Sequence, residues 1–474
     1  MCGHRFALLV FCISCWSWGA GAADKPNLVV FICDDLGCLD TTPYGATDVK
    51  TPNMQRLANE GLRFTQAFVA SPSCAPSRAA LLTGLMPARN GAEPNHSRPK
   101  EEIKKLPAYL QELGYEVASF GKVAHYGHGP FYGFDVVGGE GFARHEGIGL
   151  AADFLKNHNL DKRKSDKPLA LFVGTHWPHV PWPDKSEYDP AAVKLPAEHF
   201  DTPEFRRSRT RYYEAVTSAD KFFGQILDAV DQTLDRKNTY VFFTSDHGAQ
   251  LPFGKWNLYD AGMRVPLIAA GPGIKANATT DAMVSWIDIL PTLVDLAGGK
   301  PPSDIDGRSF AAVLRGDKQS ARNEIYATHS GDKEFNVYPM RALRTDKYKY
   351  ILNLHPEFQY ATHINRGGER DGLDYFRSWE SAAKTDSQAA HIVHRYKERP
   401  REELYDLTAD PHELKNLADR PEQQSRLSEM RDKVAAWMKE QNDAGTVFDK
   451  PLMLGQEATQ LPTGAGKAKA TNKK

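Results

Sequence analysis

Residues 27–33 read NLVVFIC and stop abruptly at Asp34-Asp35-Leu36-Gly37. A run this apolar and β-branched, without polar alternation, suits a strand covered on both faces, as in the interior of a parallel sheet. Similar runs recur at 169–174 (LALFVG), 239–244 (TYVFFT) and 265–270 (VPLIAA). Helical patterns lie between them at 54–60, 106–113, 149–158 and 212–234. This alternation predicts an α/β layered domain with right-handed crossovers: a large mixed, mostly parallel sheet sandwiched by helices. Ligands of such sheets bind beyond the carboxyl ends of the strands. Asp34-Asp35 and Asp246-His247 each follow such a strand, so both pairs are expected to face one crevice.

After about residue 314 the texture changes. Residues 338–354 (YPMRALRTDKYKYILNL) alternate apolar and polar positions, as a half-exposed antiparallel pair does. Polar stretches follow, then ELYDL at 403–407 and a helical pattern over 421–441. The expected organisation is a catalytic α/β domain over 23–315, a smaller antiparallel sheet subdomain with a closing helix over 316–450, and a disordered tail over 451–474. The first 22 residues read as an export signal. His4 and Arg5 precede an apolar run, and Ala20-Gly21-Ala22 offers a cleavage site. That predicts a periplasmic or secreted protein (lysosomal in a eukaryote), with no membrane attachment after cleavage. The balance of 59 basic and 60 acidic residues gives no electrostatic case for nucleic acid or an anionic membrane.

Cys2, Cys12 and Cys15 fall in the signal, which leaves Cys33, Cys38 and Cys74. Three cysteines in a chain this long are no disulfide framework. Cys33 and Cys38 either pair with each other or simply pack. The carboxylates carry more information. Adjacent acids at a strand end repel unless a cation or proton lies between them. Asp34, Asp35 and Asp246 together offer hard oxygen ligands of the kind Ca²⁺ or Mg²⁺ takes.

Residues 71–84 (SPSCAPSRAALLTG) decide the reading. Cys74-Ala75-Pro76-Ser77-Arg78, followed by a helix ending in Thr83-Gly84, resembles the C-x-P-S-R signature of the formylglycine sulfatases of the alkaline phosphatase superfamily. Other segments resemble that family in the expected order: 51–61 (TPNMQRLANEG), Gly121-Lys122-Val123-Ala124-His125, Pro178-His179-Val180-Pro181, and 254–259 (GKWNLY) with Arg264-Val265-Pro266-Leu267. Residues 404–417 (LYDLTADPHELKNL) resemble its C-terminal signature.

The resemblance implies an alkaline phosphatase-like fold. It also implies oxidation of Cys74 to formylglycine by a formylglycine-generating enzyme, and one divalent ion, Ca²⁺ over Mg²⁺. The ion would be held by Asp34, Asp35, Asp246, His247 and the modified Cys74. Arg78 is expected to hold the nucleophile and the metal carboxylates, while Lys122 and His125 contact sulfate and nucleophile. His179 or Lys255 is expected to protonate the leaving group, with His176 as an alternative to His179. The chemistry fits a hydrated aldehyde, because its second hydroxyl can release sulfate once the first has been sulfated. The expected activity is hydrolysis of sulfate esters of a sulfated polysaccharide or oligosaccharide. Local likeness to heparan N-sulfatase at 338–341 and 351–354 keeps N-sulfoglucosamine hydrolysis as an alternative. Lys255 and His247 depart from that enzyme's pattern, and the G-K-x-x-H segment is most similar to iduronate sulfatase. A phosphate or phosphonate ester hydrolase and a non-catalytic glycan-binding protein are the remaining alternatives.

Overall fold

The computed structural model describes residues 25–140, 146–157 and 167–462. The expected export signal and the last part of the expected tail lie outside the described residues. In chain order the strands are β1 (Asn27–Asp34), β2 (Leu62–Phe64), β3 (Ala67–Phe68), β4 (Glu116–Gly121), β5 (Val136–Gly138), β6 (Leu169–Pro178) and β7 (Thr239–Ser245). They continue with β8 (Leu267–Ala270), β9 (Ala278–Thr280), β10 (Val284–Ser285), β11 (Ile325–His329), β12 (Met340–Arg344), β13 (Tyr348–Asn353) and β14 (Glu402–Asp406).

The main sheet runs β5-β4-β6-β1-β7-β8-β2-β9. Pairing is parallel from β5 to β7 and between β2 and β9, while β8 runs antiparallel to β7 and β2. The expected mixed, mostly parallel sheet is the one observed. β1 is central, which explains its unbroken apolar sequence. Val29, Phe31 and Cys33 enter one core layer and Leu28, Val30 and Ile32 the opposite one. Cys33 and Cys38 are both free and buried, so they pack and do not pair. The helix Pro203–Thr233 covers the first face; Thr202 caps it by accepting from Phe205 N at 3.2 Å, with Pro203 in its first turn.

The second sheet, β11-β12-β13-β14, is antiparallel throughout. The helix Gln424–Glu440 closes it, setting Leu427, Met430 and Val434 against Leu343, Tyr350 and Leu404. Two helices, Leu373–Ala382 and Ser387–Lys397, occupy what reads in sequence as polar connection. They bury Trp379 against Phe205 of the long helix, with ring centroids 5.0 Å apart. The two sheets share a core, since Val29 and Phe31 belong to the same packed cluster as Met340, Ile351 and Tyr360. Residues 451–462 depart from the expected tail. Gln359 N donates to Leu452 O and Leu461 N to Arg366 O, both at 2.7 Å, which ties this stretch to the body of the protein. Among the described residues, no helix is long and apolar enough to cross a membrane.

Candidate active site

Parallel pairing of β1 with β7 puts Cys33 opposite Ser245, so the next residues, Asp34 and Asp246, leave the sheet side by side. Asp35 takes a left-handed backbone conformation (φ 67°), one that Asp tolerates better than bulkier residues. Its backbone N–H donates to Asp246 Oδ1 at 3.0 Å. Cys74 begins the helix Cys74–Thr83, whose Arg78 lies one turn further on the same side. On the other flank β4 ends at Gly121 (φ +69°), which lies so close to Gly174 of β6 that an added Cβ would sit 2.1 Å from the Gly174 carbonyl oxygen. That backbone crossing delivers Lys122 to the same crevice.

The side chains meet as a compact charged cluster, almost sealed from solvent. Arg78 Nε donates to Asp246 Oδ2 at 2.9 Å and a terminal nitrogen to Asp34 Oδ1 at 3.1 Å. Lys122 Nζ pairs with Asp34 Oδ2, and Lys255 Nζ reaches both Asp35 oxygens at 2.9 Å. Cys74 Sγ lies 3.7 Å from both Asp34 Oδ1 and Lys122 Nζ and 3.4 Å from His247 Nε2. His179 Nε2 is 3.9 Å from Asp35 Oδ2, with its side chain 17% exposed at the mouth.

Two observations test whether these residues suit a cation. Ligand atoms of Asp34, Asp35, Cys74, Asp246 and His247 all lie within 4.8 Å of one another. Burial pushes the Asp35 carboxyl up to about 6 and Asp246 up to about 8, helped by the neighbouring Asp34 charge. At Asp34 the same burial is outweighed by Lys122, His179, His176 and Arg78, which hold it well below the usual carboxylate range. Arg78, Lys122 and Lys255 therefore do not suffice to keep all three acids ionised. His247 Nδ1 donates to Gly248 O at 3.0 Å, so its Nε2 carries the lone pair. That lone pair faces Asp35 Oδ1 at 3.4 Å and Asp246 Oδ2 at 3.6 Å. Lone pairs converging in this way fit a positive ion between them.

The predicted residues Asp34, Asp35, Cys74, Arg78, Lys122, Asp246, His247 and Lys255 thus share one site, and His179 stands at its entrance. His125 is one step removed: its Nε2 lies 2.8 Å from His96 Nδ1. His176 joins the site as well, its Nδ1 3.4 Å from Asp34 Oδ2. Tyr126 and Gln250 were not anticipated. The Lys122 ammonium lies 4.4 Å from the Tyr126 ring centroid, and Gln250 Oε1 is 3.4 Å from Lys255 Nζ. Asn95 and Asp332 are further additions. Asn95 opens an Asn-x-Ser sequon, yet it is buried; its Oδ1 accepts from Ala75 N at 3.0 Å and its Nδ2 donates to Asp332 at 2.9 Å. An Asn95→Ala change orphans the Ala75 N–H, at about 1–3 kcal/mol for a buried group left unpaired, and takes from Asp332 Oδ2 one of its two donors, the other being Trp256 Nε1 at 3.0 Å. Urea unfolding should register that loss, and an unshifted midpoint would mean these bonds contribute nothing.

A buried attack position, flanked by paired acids and cations at the carboxyl edge of a mostly parallel sheet, defines a hydrolase for esters of a tetrahedral anion. Comparison with known proteins narrows the class. The Sulfatase family model matches residues 26–299, and the one described as N-sulphoglucosamine sulphohydrolase, C-terminal, matches residues 247–361. An ulvan-active sulfatase of Formosa agariphila is 32% identical over 432 residues, spanning 89% of this chain and 81% of the relative. Human N-sulphoglucosamine sulphohydrolase is 27% identical over 482 residues, spanning 90% and 92%. Among solved structures, a 2-O GAG sulfatase matches with a TM-score of 0.69 at 25% identity, covering 89% of this chain and 93% of that one. The chain belongs to the sulfatase family and is a sulfuric ester hydrolase.

Proposed function

We propose that this enzyme removes O-sulfate from a sulfated polysaccharide or oligosaccharide in the periplasm or outside the cell. In this reading Cys74 is oxidised to formylglycine, and residues 23–315 form the catalytic domain with 316–450 as a smaller subdomain. The carrying observation is the convergence of Asp34, Asp35, Asp246 and His247 on Cys74, with Arg78, Lys122 and Lys255 as counter-charges. Those four residues, together with the modified Cys74 side chain, would hold one divalent ion, Ca²⁺ in preference to Mg²⁺. The ion supplies Lewis-acid charge, and the hydrated aldehyde supplies two hydroxyls, one to attack sulfur and one for the later release of sulfate.

The chain's own residues do the rest. Three carboxylates offset three side-chain cations, so a bound dication leaves the pocket positive, as an anionic sulfate group requires. Arg78 fixes Asp34 and Asp246 relative to position 74. Lys122 places its ammonium 3.7 Å from Cys74 Sγ. Lys255 and His179 flank Asp35 toward the mouth, and we assign to this pair the proton for the departing sugar oxygen. Each donor aimed at developing charge is worth about 2.7–4 kcal/mol by analogy with oxyanion holes. Cys74 is 1% exposed, so a formylglycine-generating enzyme must reach it before the fold closes.

Sulfate release from O-sulfated ulvan and glycosaminoglycan oligosaccharides tests the proposal, with aryl phosphate as the counter-substrate. Faster cleavage of the phosphate would overturn the assignment. N-sulfoglucosamine hydrolysis is the second reading, supported by the match over residues 247–361. Release of sulfate from the N-position alone would select it. Adding Ca²⁺ to chelator-treated protein at about 100 times its Kd should restore turnover and stabilise the fold by about 2.7 kcal/mol. A melting temperature indifferent to Ca²⁺ and Mg²⁺ would remove the ion from the account.

A further inference from the structure

The loop that carries Lys255 is closed on itself. Lys255 N donates to Ala249 O at 2.8 Å and Gly254 N to Leu251 O at 2.9 Å. Closure this tight needs glycine at 254, where an added Cβ would sit 2.3 Å from the Ala249 carbonyl oxygen. The fold-back sets Gln250 alongside Lys255. Gln250 is 2% exposed, and its amide bridges two groups. Oε1 accepts from Lys255 Nζ at 3.4 Å, and Nε2 donates to Asp371 O at 3.2 Å. An ammonium only donates and a backbone carbonyl only accepts, so the amide satisfies both only in this orientation.

The other contacts of the ammonium go to the two oxygens of one carboxylate, Asp35, both at 2.9 Å. Bonds to a single carboxylate leave the ammonium able to swing about it. Gln250 comes from outside that carboxylate and removes this freedom. It is itself anchored, because Asp371 O belongs to the turn Glu369–Asp371, which the Asp371 side chain closes by accepting from Gly368 N at 2.8 Å. The turn leads into the helix Leu373–Ala382, whose Trp379 packs on Phe205. The same turn reaches the chain after His179 through Arg370 and Asp184, 3.0 Å apart. Both of those side chains are more than half exposed, so that pair contributes little and the buried amide carries the connection. We propose that Gln250 is a positioning residue that fixes the Lys255 ammonium beside Asp35, tying the group that serves the departing oxygen to the turn before Leu373–Ala382. The role in turnover rests on the assignment of Lys255 and His179 to that oxygen; the contact does not.

Nitrogen-15 spectra of lysine-labelled protein read the ammonium directly, on the unmodified Cys74 chain as well as the matured one. Lys255 should give a resolved ammonium signal that exchanges slowly with water in the parent chain. Gln250→Met keeps the volume and loses both bonds, and should broaden that signal by exchange. In the matured enzyme it should lower kcat by about 10-fold with KM unchanged, the low end for one hydrogen bond to a charged group. Made on top of Lys255→Ala it should cost nothing more, because a residue acting only through Lys255 then has nothing to position. Gln250→Glu keeps the acceptor; it should recover most of kcat and raise KM, since an added carboxylate opposes an anionic substrate. An equal loss of rate in the parent and Lys255→Ala backgrounds overturns the proposal, as does an ammonium signal unmoved in Gln250→Met. Should Gln250→Met not fold, a Gln250→Glu chain as slow as Lys255→Ala overturns it instead. A matured parent that gives the expected signal and releases no sulfate would count against the function proposed above and leave the contact standing.

Discussion

A Cys74→Ser chain is expected to desulfate at most one substrate per molecule, keep the sulfo group on the introduced serine, and then stop. Its steady-state turnover should fall on the order of 10⁴-fold or more below the matured enzyme, the scale seen when a hydrolase loses its nucleophile. The loss would not come from misfolding, since serine is smaller than cysteine and keeps a hydrogen-bonding atom near Asp34, Lys122 and His247. Its single hydroxyl can attack sulfur once. The resulting ester has no second hydroxyl through which sulfate could be expelled by C–O cleavage, so it persists unless water attacks it directly. Ion chromatography should find no free sulfate, while the oligosaccharide loses one sulfo group per chain and intact-mass analysis shows a sulfated residue 74. Cys74→Ala should show neither. Sustained multiple turnover by the serine chain would refute the two-hydroxyl mechanism.

The parts of this site that can be read in the sequence are those carried by local pattern. Buried parallel strands announce themselves by unbroken apolar runs, and whatever follows them must meet at the sheet edge, which is why Asp34-Asp35 and Asp246-His247 could be paired in advance. β4 escapes that rule because Glu116 and Ser119 interrupt its apolar run, although Ser119 is fully buried. The helices Leu373–Ala382 and Ser387–Lys397 were hidden by charged residues on their outer faces, while Tyr375, Phe376, Trp379 and Tyr396 fill the core. The Asp332 hub had no local signal. Its partners Asn95 and Trp256 lie 237 and 76 positions away, and Asn95 sits in a sequon that points to a different chemistry. Packing between the two sheets creates the hub, and no single segment encodes that packing.

Arg78→Ala is the substitution with the largest expected cost to folding. The guanidinium bridges Asp34 and Asp246 and also donates to the backbone carbonyls of Lys122 and Val123, with the side chain 1% exposed. Alanine removes all these donors at once and leaves two buried carboxylates, one less cation and a cavity. Breaking a buried ion pair from one side costs about 3–5 kcal/mol, because the remaining charge stays desolvated without its partner. Arg78→Lys should recover only part of this, since one ammonium cannot reproduce a planar fork that spans two acids and two carbonyls. Urea unfolding of the unmodified chain in chelator isolates the folding term from catalysis, and the midpoint should fall while the slope holds. Ca²⁺ should narrow the gap between Arg78→Ala and the parent, because a dication supplies some of the positive charge that the arginine took away. If the alanine chain unfolds at the parent's midpoint, the bonds from Arg78 to Asp34, Asp246 and the two carbonyls contribute nothing to folding, and the arginine's place in the charge balance of the pocket has been drawn wrongly.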